Sequence, residues 1–587
     1  MATKKNEYIG TIISRRDLLK FGGALAALTL AGCKAAEPTS APSAGPTATT
    51  AATKAAATSA PTAVPTAAGP GGPGIVGGDV VWGSAISETS LLQLDPAIHA
   101  SYTTGILSTM ITDPLIWQYE ANDFRPGLAK RWEVSPNWDE FTLYLRDDIV
   151  FHDGTPLNAE AVKLHFERIV DPEAKSLQAA SMANFDHAEV VDDYTAKIFL
   201  TKKTPLFMDT LSNQSPSSPT GWAKYGDQWG INVKATGAFR IRDWPDAGTV
   251  VFERNPDYNW APDFANHQGP SYLDTLTFKS ITDETTRLIA LETGEIDIMD
   301  ELPMEEYPRL IADPEFVIKA HPVGGLPQVL NINMSVPPTN QLAVRQAMIM
   351  AVDTKTMVEL LFFGAFPPAA AGPFGEGSWA YWEGVEDYWP YDPEKAKQIL
   401  EEAGWRDEDG DGIREAHGVE GIEDGTPLRI RHVTSTGYRS EKPAEFVQAA
   451  FREVGIDDVV EAVAYESSAK RYADNDYEMA RLGWSAFDPG SAARLFHTDS
   501  ITTGGLFNRW KLSDPEIDAL IEAGDEETDP EKRKEIYQEF QKKIVELAPH
   551  IPIYSQLRYR VFRPYLKGYH VPPVGATPLM HEAWLEK

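Results

Sequence analysis

An acidic stretch in the second half of the chain has the residue types of a cation-binding loop. Asp407, Asp409, Asp411 and Gly412 follow the first half of a calcium loop, in which alternating carboxylates supply oxygen ligands and glycine makes the turn. The second half departs from that pattern, because its twelfth position is Gly418 where a bidentate glutamate belongs. The stretch predicts either a weak calcium site or, as we prefer, an acidic turn between a helix and a strand.

The sequence contains no motif of the common catalytic centres. A Gly-x-Ser-x-Gly nucleophile elbow, a His-Glu-x-x-His zinc pair and a phosphate-binding Walker loop are all missing. His152 and Asp153 could be drawn as half of a catalytic set, but Gly154, Thr155 and Pro156 favour a strand-to-helix turn. We therefore expect no enzyme, no cofactor and no metal beyond the calcium alternative.

Composition limits the partners and the compartment. The net charge of −33 repels nucleic acid phosphates and anionic lipid headgroups, so neither is an expected partner. The single cysteine, Cys33, excludes an intramolecular disulfide and any metal site built from several thiolates. A chain of 587 residues is long enough for two or three packed units.

The N-terminus has the three parts of an export signal. A twin-arginine run at 14–20 precedes an apolar stretch at 21–31, which is too short to span a bilayer of about 30 Å. The twin arginines resemble a Tat signal, and the run LAGC that ends at Cys33 resembles a lipobox. Residues 1–32 are thus predicted to be cleaved and Cys33 to carry lipid, which tethers the protein outside the cytoplasm. The alternative is a plain cleaved signal with an incidental thiol.

Residues 33–78 are predicted to form a disordered linker between the lipid and the folded body. They are almost wholly Ala, Thr, Pro, Ser and Gly, and such a segment cannot bury a core. Gly69, Gly71 and Gly74 spell G-x-G-x-x-G, but prolines interrupt the run and no strand precedes it. A dinucleotide site is therefore not expected there.

From Asp79 onwards, strand and helix patterns alternate to the end of the chain. DVVWGSAI predicts a buried first strand, and DETTRLIALETGEIDIM predicts a helix with Leu288, Ile289 and Leu291 inward that ends near Gly294. NQLAVRQAMIMAVDTKTMVELLF predicts one long amphipathic helical segment. Alternating elements of this kind predict an α/β fold of mixed sheets flanked by helices.

Several segments stand in an order that is similar to a known family. They run from about Asp79 to about His570 and include FHDGTPLNAEAVKLHFERIVDP, TGAFRIRDWPDAGTVVFERNPDYNW, LNINMSVPPTNQLAVRQAMIMAVD, YDPEKAKQILEEAGW and PHIPIYSQLRYRVFRPYLKGY. Together they resemble the family 5 extracellular solute-binding proteins, the peptide/nickel-type receptors of ABC importers.

The resemblance implies a two-lobed periplasmic-binding-protein fold of type II that closes over its ligand by a hinge. The first lobe would hold residues 79–325, with an inserted subdomain at about 115–235. The second lobe would hold 326–547, and 548–587 would return to the first. The implied partners are a small solute and the membrane subunits of an ABC permease, with the receptor itself a monomer.

The resemblance also implies a ligand site around the run RLGW. In peptide-binding members, Gly483 and its neighbours would pair with an extended peptide, Trp484 would pack on it, and Arg481 could bind a carboxylate. The acid that holds the peptide amine in those members is replaced here by Phe487, and Asp488 follows it. A shift of one residue on an extended strand turns the side chain to the other face, so Asp488 better matches an acid-proline turn. A free peptide becomes less expected, and a neutral or sugar-like ligand more so.

Four further residues are weaker candidates for the cleft. They are Glu88 after the first strand, Tyr438 and Arg439 in TSTGYRS, and Trp382 in the aromatic run GSWAYWEGVEDYWPY. Packing between lobes explains that aromatic run as well as ligand contact does. Trp484 likewise has the alternative of a core tryptophan beneath the cleft.

Three functions are compatible with these observations. The first is a receptor that delivers a peptide-like or oligosaccharide-like solute to an ABC permease without catalysis. The second is a sensory receptor for the same kind of solute. The third is a secreted hydrolase, which the missing nucleophile and metal motifs disfavour.

Overall fold

The computed structural model describes residues 77–98, 102–120, 122–486, 488–501, 508–573 and 577–586. All of them belong to one compact unit, which begins at Gly69. Cys33, the predicted signal and nearly all of the predicted linker lie outside the described residues, as does Phe487.

The strands are enriched in β-branched and aromatic residues. In chain order they are β1 Asp79–Ser84, β2 Ile116–Glu120, β3 Asp123–Pro126, β4 Ala129–Val134, β5 Glu140–Leu145, β6 Phe185–Asp192, β7 Thr195–Leu200, β8 Phe239–Asp246, β9 Thr249–Arg254, β10 Thr275–Ser280, β11 Ile298–Asp300, β12 Val317–Pro322, β13 Gly325–Ile332, β14 Trp405–Arg406, β15 Glu415–Ala416, β16 Arg429–Ser435, β17 Asp457–Val463, β18 Met479–Ser485, β19 His550–Tyr554, β20 Leu557–Phe562, β21 Leu566–Lys567 and β22 Trp584–Leu585.

Many helices begin at an aspartate whose carboxylate accepts a backbone N–H of the first turn, as Asp283, Asp392 and Asp529 do. The helices are α1 Glu88–Leu91, α2 Tyr102–Ile111, α3 Ala159–Val170, α4 Phe207–Ser212, α5 Pro219–Tyr225, α6 Glu284–Thr293, α7 Tyr307–Ala312, α8 Leu342–Met350, α9 Thr354–Phe362, α10 Pro393–Glu402, α11 Tyr438–Val454, α12 Tyr465–Ala473, α13 Pro489–Ala493, α14 Pro515–Glu526 and α15 Pro530–Glu546. None of those in the described ranges is long and apolar enough to cross a membrane.

A seven-stranded mixed sheet organises the first lobe, with strand order β12-β20-β11-β1-β10-β9-β8. The predicted first strand, β1, lies inside this sheet, parallel to both β10 and β11. Val80 and Trp82, which lie two residues apart and point to the same face of β1, are fully buried. The C-terminal strand β20 completes the sheet between β12 and β11.

A five-stranded mixed sheet organises the second lobe, with strand order β17-β16-β18-β13-β19. β16 runs parallel to β17 and β18, whereas β13 is antiparallel to β18 and β19. A separate antiparallel sheet of order β4-β5-β7-β6 lies within the predicted inserted subdomain. Its buried side chains, such as Phe141 and Ile198, share one core with those of the seven-stranded sheet.

The chain passes between the two large sheets at two places. The first passage is the short link from β12 to β13, at Val323 and Gly324, and the second is the link from β19 to β20, at Ser555 and Gln556. By strand pairing, the return to the first lobe begins after Tyr554, a few residues beyond the predicted boundary at 548. The lobe boundaries otherwise stay predictions.

Two helix predictions differ in detail from the structure. The α6 helix ends at Gly294 and buries Leu288 and Leu291 as expected, but Ile289 is 54% exposed and the inward prediction for it was wrong. The segment predicted as one long helix is two, α8 and α9, because Asp353 caps a new helix by accepting the amide of Thr356.

Candidate functional site

Strand β18 carries the run RLGW and has one open edge. Along one edge, β18 pairs with β13 to its end, where Trp484 lies opposite Leu326. Along the other edge, β16 pairs only with Met479 and Ala480. From Arg481 onwards this second edge has no strand partner within the described ranges. The carbonyl of Arg481 accepts from Nη1 of Arg509 at 2.9 Å, and the main-chain groups beyond it are placed to hydrogen-bond an additional extended chain.

Trp484 lies at the end of β18, beside the first passage between the lobes. Its side chain is 37% exposed, whereas Trp82 in the core is fully buried, so Trp484 is not a core tryptophan. The amide of Ala486 donates to the carbonyl of Gly324 at 3.0 Å. Gly325 has a φ of +99°, and a Cβ there would lie 2.4 Å from the carbonyl oxygen of Trp484. The exposed tryptophan and the inter-lobe link are thus in direct main-chain contact.

Gly483 is required by packing within the sheet. A Cβ on Gly483 would lie 1.9 Å from Nε2 of Gln328, because the side chain of Gln328 on β13 crosses this position. Oε1 of Gln328 is enclosed and accepts no hydrogen bond in the described part of the chain. Its unused acceptor adds a polar group next to the candidate site.

Arg481 is partly buried and has no carboxylate partner among the described residues. Its guanidinium donates to the hydroxyls of Ser440, at 3.3 Å, and Tyr554, at 3.1 Å, while Nε has no acceptor there. A guanidinium with spare donors in a partly desolvated place is suited to a carboxylate from outside the chain.

Asp488 serves the local structure. Its carboxylate accepts the amide of Gly490 at 2.8 Å and so caps α13, as an acid-proline turn does. Both carboxylate oxygens also accept from Arg533 of α15, at 2.5 and 2.7 Å, and the pair is almost fully buried. Because its oxygens are occupied in this way, Asp488 is not placed as a free anchor for a ligand amine.

A carboxylate of the first lobe approaches this pair and was missed in the sequence. Asp209 in the first turn of α4 is close enough to Asp488 and Arg533 for their charges to act on it. Burial, and then the charge of Asp488, raise the pKa of Asp209 well above its usual value. No local pattern marks this residue, because the neighbours that distinguish it come from the other lobe.

Tyr438 and Arg439 lie at the start of α11. The hydroxyl of Tyr438 donates to the carbonyl of Leu361 at 3.0 Å. Arg439 donates at 2.8 Å to Glu301, which follows β11 in the first lobe. Burial alone would raise the pKa of Glu301, but Arg439 and Arg558 together hold that pKa below its usual value. Arg439 therefore ties the two lobes together.

Glu88 and Trp382 lie elsewhere. Glu88 is exposed at the start of α1, beside Gly248 in the turn between β8 and β9. The backbone amide of Trp382 donates to Gln541 of α15 at 3.1 Å, and Nζ of Lys542 lies 5.6 Å from its ring. In the described part of the chain, neither residue has a hydrogen bond or ion pair with β18.

The three aspartates of the acidic loop are close together and exposed. Oxygens of Asp407, Asp409 and Asp411 all lie within 4.8 Å of one another. Each carboxylate also accepts backbone amides of its own loop, such as that of Gly410 at 2.8 Å. This hydrogen bonding is that of an acidic turn, and the calcium alternative stays untested.

The chain is similar in sequence to known proteins. The sequence model for bacterial extracellular solute-binding proteins, family 5 middle region, matches residues 123–504. The chain belongs to this family. The glutathione-binding protein GsiB of Salmonella typhi is 27% identical over 527 residues, which cover 84% of this chain and 96% of GsiB.

Solved structures agree in fold. NikA from Brucella suis, in complex with Fe(III)-EDTA, aligns with a TM-score of 0.76 and 24% identity over 87% of this chain and 100% of NikA. The oligopeptide-binding protein AppA from Bacillus subtilis, in complex with a nonapeptide, aligns with a TM-score of 0.70 and 21% identity over 87% of this chain and 100% of AppA. The two-lobed periplasmic-binding-protein fold expected from the sequence is confirmed.

Membership of the family also decides the class of function. The chain is a solute-binding receptor of the kind that serves ABC importers, as expected from the sequence. Such receptors work outside the cytoplasm and bind their solutes without converting them. What remains to be assigned is the solute, the residues that hold it and the attachment of this chain to a membrane.

Proposed function

We propose that this protein binds an extended, peptide-like solute between its lobes and delivers it to an ABC permease. The observation that carries the proposal is the open edge of β18 from Arg481 onwards, with Trp484 half exposed at its end. Main-chain hydrogen bonds to such an edge supply affinity for any extended chain, and side-chain neighbours then set specificity. GsiB and AppA, which are named for glutathione and oligopeptide binding, are similar over most of this chain.

Within this site, each side chain has a separate proposed role. Trp484 packs on the solute, and Arg481 binds a carboxylate of the solute through its spare donors. Gly483 leaves room for the side chain of Gln328 on the neighbouring strand, and Oε1 of Gln328 offers one acceptor. We leave Glu88, Tyr438, Arg439 and Trp382 out of the site, because their polar contacts are made with other parts of the chain.

An oligosaccharide is the second candidate, favoured by one observation. The carboxylate of Asp488 is occupied by Arg533 and by the cap of α13, so the acid of RLGWSAFDPG is not available to a peptide amine. Sugar rings would stack on Trp484 and would need no charged anchor.

A direct binding experiment separates these candidates. Purified protein is titrated by calorimetry with glutathione, tetra-alanine and maltotetraose, and native mass spectrometry is used to look for a solute that copurifies. We expect saturable peptide binding without turnover, with a smaller radius of gyration by solution scattering when solute is bound. Binding of maltotetraose alone would favour the oligosaccharide candidate. Hydrolysis of any of the three would contradict a receptor.

We also propose that the receptor is held at the membrane through lipid on Cys33 and reaches its permease on the linker of 33–78. The Tat-like twin arginines and the LAGC run support this proposal. In the producing cell, Cys33→Ser should move the protein from the membrane fraction to the soluble extracytoplasmic fraction. Retention of Cys33→Ser in washed membranes would contradict the lipid tether.

A further inference from the structure

One carboxyl oxygen of Asp209 on α4 is shielded from water and has no hydrogen-bond partner among the described residues. The helix is anchored by Phe207, Met208 and Leu211, which are buried in the core of the first lobe. Oδ1 of Asp209 is enclosed and accepts no hydrogen bond from the described residues. A buried carboxylate oxygen in this state costs free energy until a donor reaches it.

The groups that face Asp209 come from both lobes. Asp488 and Arg533 belong to the second lobe, and the side chain of Gln118 on β2 in the first lobe contributes a hydrogen bond to the carboxyl group of Asp209, while Oδ1 stays without a donor among the described residues. Burial and the charge of Asp488 disfavour the ionised form of Asp209, while Arg533 and Gln118 favour it, and the net result is a raised pKa. Asp209 therefore lies where the two lobes approach each other, beside the residues that follow the open strand β18.

The cluster holds three carboxyl groups and two arginines. Arg533 is engaged by Asp488 at 2.5 and 2.7 Å, and Arg494 is engaged by Asp525 at 2.5 Å. Among the described residues, no lysine, arginine or histidine lies within 4.0 Å of the third carboxyl group, that of Asp209. A cation brought to this place would favour the ionised form of Asp209, which burial disfavours in its absence.

We propose that Asp209 receives a cationic nitrogen of the solute, an ammonium or guanidinium group, when the lobes close. The inference deepens the proposed function and rests on it. N–H donors of a cationic group would satisfy Oδ1 and favour the ionised carboxylate, whereas a solute without such a group would leave Oδ1 without a donor. The acid that the sequence lacks at Phe487 is thus supplied by the opposite lobe.

The test compares the affinities of a peptide with a free amine and a peptide with a blocked amine for the wild type and two variants. Tetra-alanine and N-acetyl-tetra-alanine are titrated into the wild type, into Asp209→Asn and into Asp186→Asn, an exposed acid of the first lobe that serves as control. In the wild type and in the control, acetylation should weaken binding at least tenfold. In Asp209→Asn, tetra-alanine should bind at least tenfold more weakly, and acetylation should make no further difference. Thermal melting of each variant verifies that it is folded.

Two outcomes separate this inference from the proposed function. If Trp484→Ala weakens tetra-alanine binding while Asp209→Asn does not, the cationic subsite is wrong and the peptide receptor stands. If maltotetraose alone binds the wild type, both are overturned.

If none of these probes binds, ammonium, methylammonium and guanidinium chlorides are compared with sodium chloride at equal ionic strength. The three nitrogen cations should then raise the melting temperature of the wild type more than that of Asp209→Asn, and equal shifts would refute the inference.

Discussion

Arg533 donates to both carboxylate oxygens of Asp488, at 2.5 and 2.7 Å, and both side chains are less than 10% exposed. The contact joins α15 to the turn that follows β18, three residues after the open strand edge ends at Ser485. The guanidinium also lies 5.5 Å from the ring of Trp379 and 5.3 Å from that of Tyr537. The base of the candidate site is therefore fixed to the core of the second lobe by one buried ion pair.

Removal of Arg533 should be strongly destabilising. Arg533→Met leaves Asp488 buried without its partner, and we expect a loss of about 3–5 kcal/mol in the free energy of unfolding. Arg429→Met is the matched control, since the pair between Arg429 and Asp457 is largely exposed and should contribute less than about 1 kcal/mol. Urea unfolding of both variants measures the difference. Equal losses would show that burial of the first pair has no special cost.

Replacement of Trp484 should reduce affinity more than stability. Its side chain is 37% exposed, so Trp484→Ala removes contact area that is offered to the solute. We expect tetra-alanine to bind about tenfold or more weakly, a change of about 1.4 kcal/mol or more. Trp382→Ala is the control, because Trp382 contacts α15, and this variant should bind tetra-alanine with unchanged affinity. Unchanged affinity in Trp484→Ala would remove this tryptophan from the site.

A side chain at Gly325 should disturb the link between the lobes. Gly325→Ala meets both a φ of +99° and a contact of 2.4 Å to the carbonyl oxygen of Trp484. The backbone conformation alone costs about 1 kcal/mol, and the clash should add about 1–3 kcal/mol. Gly154→Ala is the control, because its φ is +83° but no atom lies within 4 Å of its added Cβ. Chemical unfolding should show Gly325→Ala to be the less stable of the two, and the reverse order would contradict the importance of this contact.

Buried histidines should make the protein less stable in mild acid. Complete burial lowers the pKa of His550 to about 4, so the folded state takes up its proton only near that pH, while the unfolded chain does so near pH 6.5. Stability is therefore lost as the pH falls from about 6.5 to about 4, at up to about 1.4 kcal/mol per pH unit for this group.

His550→Gln should lessen this dependence. Between pH 7 and pH 5 the variant should lose about 2 kcal/mol less stability than the wild type. Urea unfolding of both proteins at the two pH values measures the effect, and parallel profiles would contradict the assignment.

The ion pair between Arg439 and Glu301 should restrain opening of the lobes. Arg439→Met removes contacts of α11 with Glu301, at 2.8 Å, and Glu284, at 3.9 Å, of the first lobe. Among the described residues, Glu301 then keeps Arg558, at 3.6 Å, as its ion-pair partner. Without solute, the variant should have a larger radius of gyration by solution scattering than the wild type. Arg309→Met, which removes two exposed ion pairs within the first lobe, should leave the radius unchanged. An unchanged radius in Arg439→Met would show that other contacts set the opening.

Local sequence signals predicted the elements well, because they depend on neighbours in the chain. Asp392 followed by Pro393 predicted the start of α10, and Gly294 predicted the end of α6. Ile289 is an instructive failure, because its apolar character predicted burial while the neighbouring elements cover a different side of α6. Apolar periodicity through Asp353 predicted one long helical segment, and the cap that Asp353 provides divides it into two helices.

By itself the sequence determined the family, the alternation of strands and helices, and the strand that carries Trp484, since each is written in contiguous residues or in their order. The tertiary structure decided which charges remain free at the site. It engaged Asp488 with Arg533, tied Arg439 to the first lobe, and brought Asp209 from a distant short helix to face them. Ion pairing and burial depend on residues that are far apart in the chain, so no local pattern could have assigned these partners.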